Sequence, residues 1–363
     1  MLAVEAVTDL EGFRALKGDW NALALEANSS IFQTWEWSWY WWQFNGKGKR
    51  LWLLTARDSG KLVGLAPLFV SSSYYGLPLK VAAFIGTNGT DYLDFIINPD
   101  IPGAAEALVG FIFGQAGWDA LDLHQIPQAS LTADLISTKA KSCGFAAEKI
   151  IQDLAFNTEL PDNWDDYLVT LSKKFRWNVQ YYTRRLNREH EVVFRLSDVQ
   201  SIEKDIGLFF KLHQKRFMAK KKPGAYLNPK FRKFHAGLAA ALQKCGWLSL
   251  YVMEIDKEPV AALYGFSFAD SFYYYLGGFE PTWGAMSVST VLIARAIEDA
   301  ISAGLHNFNF LRGQESYKQK WQAQESANYR LIVSRPGKKS GLAQKMITLE
   351  SDLTKRVKSK LEG

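Results

Sequence analysis

Close to the C-terminal end of the chain, a carboxylate, a phenol and an ammonium fall within four residues. They are Glu315, Tyr317 and Lys318, in the string Gly313-Gln314-Glu315-Ser316-Tyr317-Lys318, with Trp321 three residues further on. A carboxylate can take a proton from an attacking group, directly or through water, and a tyrosine can give one to a leaving group. An unperturbed alkylamine is only about one part in a thousand deprotonated at pH 7, so such a base matters most where the nucleophile is an amine. The plainer reading is a structural corner, with Glu315 capping a short helix and Trp321 packed beneath it. A second concentration runs from Lys173 to Arg188, where Lys173, Lys174, Arg176, Arg184, Arg185 and Arg188 are interleaved with Phe175, Trp177, Tyr181 and Tyr182. That pattern suits RNA or an anionic substrate, with a solvated helix face as the alternative. Arg184, Arg185 and Arg188 lie close enough on a helix to form a local anion site. Lys215, Arg216, Lys220, Lys221 and Lys222 form a third basic cluster, ending at Pro223-Gly224.

These groups need elements to hold them. Helical periodicity covers Asp9 to Ala27 and Thr34 to Phe44, with Thr34 placed as an N-cap. Strands are expected at 51–57 and 62–70, joined by Asp58-Ser59-Gly60, a hairpin signal because glycine takes the positive φ of the turn. Further strands are read at 80–85 and 92–97, then a helix from Pro102, a strand at 120–124, a helix at 131–141 and a strand at 145–156. After the basic segment come helices at 198–217 and 229–244, and three strands at 247–255, 260–269 and 272–279 whose short connections force antiparallel pairing. A helix at 287–303, a strand at 306–311, a short helix near Tyr317 to Trp321 and a strand at 328–333 complete the series. The order strand, turn, strand, later helix, strand, helix, strand thus occurs twice, a weak internal repeat. The helix after the turn Gly284-Ala285-Met286-Ser287 offers free N–H groups and the positive end of its dipole, to which Ser287, Ser289 and Thr290 add hydroxyls. Such a turn is a natural pyrophosphate site, although an ordinary N-cap looks the same.

Composition narrows the class. The chain has 363 residues, 48% of them hydrophobic, and 13 Trp, 15 Tyr and 23 Phe, too much apolar material for a disordered chain. The formal net charge of +6 is uneven. Residues 1–150 carry 11 Lys plus Arg against 15 Asp plus Glu, and the remainder carries 32 against 22. No apolar run reaches the roughly 20 residues of a membrane span, so a cytoplasmic protein is expected. Cys143 and Cys245 read as buried small hydrophobes, and five scattered histidines show no metal-ligand spacing, so no metal is expected. The helix carrying Trp35, Trp37, Trp39, Tyr40, Trp41 and Trp42 invites sugar stacking, but helical geometry sends most of these rings into packing.

Three antiparallel strands, helix, strand, helix, strand is the layout of the GNAT acyltransferase fold. Residues 172–333 also resemble one branch of it, the CelD-type cellulose-biosynthesis acetyltransferases, whose doubled domains are akin to the FemABX aminoacyltransferases. The resemblance is carried by Lys173-Lys174-Phe175-Arg176 to Arg188, Gly277-Gly278-Phe279, the loop 281–290, and Phe308-Asn309-Phe310-Leu311-Arg312-Gly313-Gln314-Glu315-Ser316-Tyr317-Lys318 with Trp321. The chain departs from the pattern at Asn309, where the family commonly has Asp, and at Ser287-Val288-Ser289-Thr290, where the helix usually opens on a glycine-containing turn.

The resemblance implies an α/β fold (α+β in detail) of two tandem GNAT-like domains, each a mixed, mainly antiparallel sheet flanked by helices. Domains are expected at 1–157 and 158–335, with a basic helix over 336–363. It implies acyl transfer from acyl-CoA, acetyl-CoA above all, to the amine of a small molecule or glycan, such as an amino sugar in envelope or exopolysaccharide metabolism. Glu315 is then the base, Tyr317 the acid, with Tyr275 second, and Lys318 stands with them. Backbone N–H groups of Leu276, Gly277, Gly278 and Phe279 polarise the thioester carbonyl. Gly284, Ala285, Ser287, Ser289 and Thr290 hold the donor, and Arg184, Arg185, Arg216, Tyr275 and Arg312 face the acceptor. Two rival readings stand beside this one. The first is an aminoacyl-tRNA-dependent transferase, against which the chain shows no heptad-rich insertion. The second is a non-catalytic binding protein, hinted at by Asn309. The sequence leaves the oligomeric state open.

Overall fold

The computed structural model describes residues 2–74, 76–337, 346, 347 and 350. The chain forms two compact units, residues 1–153 with 327–363, and residues 154–326. The expected basic helix over 336–363 lies almost wholly outside the described residues.

Unit 1 contains β1 (Ala3–Val7), α1 (Leu10–Ala15), α2 (Lys17–Glu26), α3 (Trp35–Asn45), β2 (Lys49–Asp58), β3 (Lys61–Ser71), β4 (Val81–Phe84), β5 (Ile96–Ile97), α4 (Gly103–Gly114), β6 (Ala120–Pro127) and α5 (Thr132–Ser142). It also takes the first part of β7 (Ala146–Glu159). Its hairpin turns where expected. Asp58 pairs with Lys61, and Ser59 and Gly60 both take positive φ, 48° and 86°. The Thr34 hydroxyl accepts the Trp37 N–H and starts α3. Trp35, Trp37, Trp39 and Trp41 are buried inside unit 1, where the Trp35 indole donates to Phe13 O at 2.8 Å and that of Trp37 to Thr90 Oγ1 at 3.2 Å. Packing, not a sugar face, accounts for these four rings.

Unit 2 takes the rest of β7, then α6 (Trp164–Thr170), α7 (Lys173–Glu189), β8 (Val192–Leu196), α8 (Ile202–Ala219), α9 (Pro229–Lys244), β9 (Leu248–Ile255), β10 (Glu258–Phe268), β11 (Ser271–Phe279), α10 (Val288–Ser302), β12 (Asn307–Arg312) and α11 (Tyr317–Lys320). Its strand order is β7-β12-β11-β10-β9-β8, antiparallel except for the β11–β12 pair. The β9–β10 hairpin repeats the turn of unit 1, with Asp256 and Lys257 at φ 51° and 68°. Strand alternation sends Tyr251, Met253, Leu263, Phe272 and Tyr274 into one core with Val291, Leu292 and Ile297 of α10. The other face meets α8 and α9 through Tyr264 and Phe266.

Three expectations need correction. Strand β13 (Gln324–Ser334), read from sequence as closing the second repeat, pairs over Asn328–Ser334 with β6, and residues from 327 onward belong to unit 1. The expected strand at 92–97 is reduced to Ile96–Ile97, because left-handed backbone at Asn88 and Tyr92 holds the preceding stretch as a loop. Cys143 is exposed and Cys245 half-buried, since each sits at the C-cap of its helix, where the chain turns to the surface.

Candidate active site

The chemistry gathers where two parallel strands part. β11 pairs with β12 only over Ser271–Tyr273 opposite Asn307–Asn309, and beyond that point the two strands separate. Two local features open the fork. Leu311 takes a left-handed φ of 60°, with its N–H donated to Asn309 Oδ1 at 2.8 Å, and the β12–β7 register shifts between Asn309 and Leu311. Asn309, which stands where the resemblance leads one to expect Asp, thus serves the bulge with its side chain.

On the β11 side the backbone shows which amides face the gap. Glu280 donates its N–H to Val260 O of β10. Alternation then turns Gly278 toward β10 as well, and Gly277 and Phe279 away from it, into the gap. In agreement, Gly277 O accepts from the Arg216 guanidinium at 2.9 Å. Of the four residues expected to carry the polarising N–H, the alternation leaves Gly277 and Phe279 aimed at the fork. Neither Gly277 nor Gly278 can bear a side chain without displacement. A methyl on Gly277 would stand 2.5 Å from the Tyr274 hydroxyl, and one on Gly278 would collide with the α8 backbone at His213.

Arg216, at the C-terminal end of α8, lies 5.6 Å above the Phe279 ring. Lys215 beside it pairs with Glu280. Tyr274 and Tyr317 meet here, both flanking Phe310 at ring distances of 6.0 and 6.3 Å. Burial pushes the Tyr274 phenol up, offset in part by the Arg216 charge and a hydrogen bond from Tyr317. Burial likewise pushes Tyr317 far up, with the neighbouring Tyr274 and Glu315 adding to it. Both phenols therefore stay protonated at working pH, which is the state a proton donor needs.

The Glu315 to Trp321 string divides between site and scaffold. Lys318 is 2% exposed, and its ammonium donates to Leu311 O (3.1 Å), Arg312 O (2.8 Å) and Gly313 O (3.0 Å) and contacts the Glu315 carboxylate at 2.9 Å. An ammonium has three hydrogens, so Lys318 has none left for a substrate and acts as the clasp of the corner. Trp321 is buried against Phe175, and its carbonyl accepts from Tyr167 at 2.9 Å. Glu315 caps no helix with its side chain. Its carboxylate is held by Lys318 and remains 59% exposed.

Other expected site residues lie apart from this group. Tyr275 points to the opposite face of the sheet, 5.3 Å from the His235 ring. The register shift between Tyr264 and Gly265 is the reason, since one extra residue reverses which of Tyr274 and Tyr275 faces the fork. Tyr274 is consequently a candidate site residue that strand alternation alone does not find. Arg185 pairs with Glu189 at 3.0 Å and Arg188 with the same carboxylate at 2.7 Å, while Arg184 lines a groove with Arg295, Asp165 and Glu298. Arg312 contributes its carbonyl to the Lys318 clasp. Ser287 adopts φ 52°, the conformation a glycine would take there, and its carbonyl accepts the Thr290 and Val291 N–H groups. Gly284 and Ala285 are exposed just before it, and Ser289 is half-buried at the open N-terminus of α10. Among the described residues no group of three or more His, Cys, Asp or Glu is placed to hold a metal, and no helix is long and apolar enough to cross a membrane.

Residues 173–319 match the family model described as an acetyltransferase (GNAT) domain. That segment carries the match to a GNAT domain. It contains the fork, the α10 turn and the Glu315–Tyr317 string, and it makes the protein an enzyme of the acyltransferase class. Among solved structures, the chain is similar to FemX, at 11% identity and a TM-score of 0.66 over 91% of this chain and 96% of that one. It is similar also to L-PGS from Bacillus licheniformis, at 14% identity and 0.55 over 94% and 96%. The C-terminal domain of a putative lysylphosphatidylglycerol synthetase from Agrobacterium fabrum stands at 11% and 0.54 over 93% and 96%. At such identities the likeness is one of fold. A comparison with curated proteins finds no match.

Proposed function

We propose that the fork of unit 2 transfers an acyl group from acyl-CoA, acetyl-CoA first among candidates, to a primary amine. The observation that carries this reading is the divergence of β11 and β12 after Tyr273 and Asn309, with the Gly277 and Phe279 amides turned away from β10 and Tyr274 and Tyr317 gathered at the same end of the strands. The residues present fit such a donor. The α10 N-terminus and Ser289 would take its pyrophosphate, and the fork amides its acyl carbonyl. When bound, acyl-CoA supplies an activated thioester. Glu315 takes the proton of the attacking amine as the C–N bond forms. The Gly277 and Phe279 N–H groups stabilise the charge that develops on the carbonyl oxygen. As the C–S bond breaks, Tyr317 gives its proton to the departing sulfur, and Arg216 with Tyr274 holds that phenol in place. The resemblance to the CelD-type branch favours an amino sugar or related polar amine of envelope polysaccharide as acceptor.

A second reading, aminoacyl transfer from charged tRNA, is favoured by α7. There Trp177, 54% exposed, stacks on Tyr181 at 4.7 Å beside exposed Lys173 and Lys174. Stacked, exposed aromatics among cations suit single-stranded nucleic acid. The melting temperature with acetyl-CoA, a long acyl-CoA or charged tRNA separates the two, because a ligand bound only by the folded state raises it. A rise with an acyl-CoA supports the first reading. A salt-sensitive rise with tRNA alone replaces it with the second, and no rise with any acyl-CoA sinks the first.

A further inference from the structure

Residues 1–150 are net acidic, with 11 Lys plus Arg against 15 Asp plus Glu, yet one concavity that they form is lined by cations. A pocket of about 540 Å³ is walled by Lys49, Arg50 and Lys80, with Trp52, Ser72 and Gln115 completing it. That volume is within the ordinary range for a small-molecule site. The cations come together because of the topology. Lys49 and Arg50 open β2, Lys80 immediately precedes β4, Ser72 follows the end of β3, and Gln115 precedes β6. The pocket therefore sits at the starting ends of the parallel strands β4 and β6. It is at the opposite end of those strands from the point where a fork would open, so it is not a copy of the acyl site.

The charges are poorly balanced. Arg50 rests 5.8 Å over the Trp52 ring, and neither it nor Lys80 has an ion-pair partner among the described residues. Lys49 donates to Asn45 O at 2.6 Å. Arg335, which is not part of the lining, donates to the carbonyl of the lining residue Gln115 and stacks 4.3 Å over Trp118. The carboxylate found beside them is Asp119, which accepts the backbone N–H of Lys80 at 2.9 Å. Cations gathered in a concave, partly aromatic wall focus a positive potential and raise the local concentration of anions. An arginine held on an aromatic face presents its fork already oriented, and lysines beside it act as point charges, a combination that suits the several oxygens of a phosphate better than a single carboxylate.

We propose that unit 1 binds a phosphate-bearing group in this pocket, between Arg50, Lys49 and Lys80. The phosphate belongs either to a soluble compound or to the headgroup of an anionic lipid surface; the recognising chemistry is the same. The test is calorimetric titration of the full chain with inorganic pyrophosphate at constant ionic strength, and sedimentation with phosphatidylglycerol vesicles against phosphatidylcholine vesicles. Each is repeated on Arg50→Gln, on Lys80→Gln and on the pair, which remove no ion pair and should leave the melting temperature of the free protein unchanged. We expect binding of at least one probe, weakened roughly tenfold by each substitution, about 1.4 kcal/mol apiece. Pyrophosphate binding lost in the double variant supports a soluble source, and vesicle binding alone, lost in the same variant, supports a lipid source. Unaltered binding in the double variant assigns the anion to the basic segments of unit 2 and overturns the proposal, as does no binding of either probe by the native chain.

Discussion

The two units contain the same parallel pair and finish it differently. In unit 1, β4 pairs with β6 at Val81 and Ala82 opposite Ala120 and Leu121, and in unit 2, β11 pairs with β12 over three residues. Each second strand then carries a left-handed residue, Gln125 at φ 59° and Leu311 at φ 60°, next to a register shift against its antiparallel neighbour. In unit 1 the gap is sealed by backbone, as the loop after β4 returns and Leu93 donates its N–H to Gln125 O at 3.0 Å. In unit 2 side chains gather there instead, Tyr274, Tyr317 and Arg216, with the Arg216 guanidinium donating to Gly277 O. The two forks thus differ in what closes them, main chain in unit 1 and side chains in unit 2, and only the second matches the acyl site proposed above.

That contrast is most sharply tested at Glu315. Glu315→Gln keeps the shape of the corner and the contact with Lys318 but removes the proposed base, so we expect kcat to fall about 10³-fold with the Kd for acyl-CoA unchanged. Unchanged turnover would remove Glu315 from the mechanism.

Acid should separate the units next. In unit 2 His213 is 1% exposed with neither ring nitrogen hydrogen-bonded, and burial, aided by the nearby Arg216 charge, pulls its pKa down to about 4. Burial alone takes His235 down to about 3. Both are neutral in the fold, while the unfolded chain takes up protons below about pH 6.5. Stability is therefore intact above that pH and declines as pH falls toward the folded values, by about 2 kcal/mol per histidine at pH 5. In unit 1 the sign reverses. Burial raises the Asp94 carboxyl to about 6, against hydrogen bonds from Ser130 and Thr132. Its contribution is fully present below the unfolded value of about 3.8 and lost as pH rises through 6, so acidification from pH 7 to 5 returns about 1 kcal/mol. Hydrogen exchange at the two pH values should show β10 and β11 losing protection while β6 does not. Equal loss in both units would refute the assignment.

Lys318→Met probes the clasp. It leaves three backbone carbonyls without their donor and should destabilise unit 2 by roughly 3 kcal/mol. A melting temperature within a degree of the native value would show that the clasp is dispensable.

How much of this was legible in the sequence depends on what each feature rests upon. The first hairpin was readable from the glycine of Asp58-Ser59-Gly60, the β9–β10 hairpin from the shortness of its connection, and the α3 cap from Thr34, whereas the positive φ of Ser59 and Lys257 is not announced by residue type. The Gly313 to Trp321 string was readable as a unit, but its division into an exposed carboxylate and a buried ammonium depends on three carbonyls brought round by the turn, which no spacing encodes. Residues 328–333 were misplaced because a strand's partner is a tertiary choice, and its apolar pattern fits either repeat equally well.

The smallest expected effect isolates one further case, the parity of Tyr274 and Tyr275. In the run Phe272-Tyr273-Tyr274-Tyr275 nothing in residue type distinguishes the tyrosines, and counting outward from Phe279 on strict alternation sends Tyr275 into the fork. The bulge at Tyr264 and Gly265 reverses that, leaving Tyr274 beside Tyr317 and Tyr275 beside His235. Tyr274→Phe removes the oxygen that accepts the Tyr317 proton and faces Arg216, and because a positioning contact is lost rather than the acid itself, we expect about a tenfold fall in kcat, near 1.4 kcal/mol. If Tyr274 acts through Tyr317, the double substitution with Tyr317→Phe should cost no more than Tyr317→Phe alone, since residues serving one step are not additive. Tyr275→Phe should leave turnover untouched, and the opposite ranking of the two tyrosines would mean that the strand runs through the fork without its bulge.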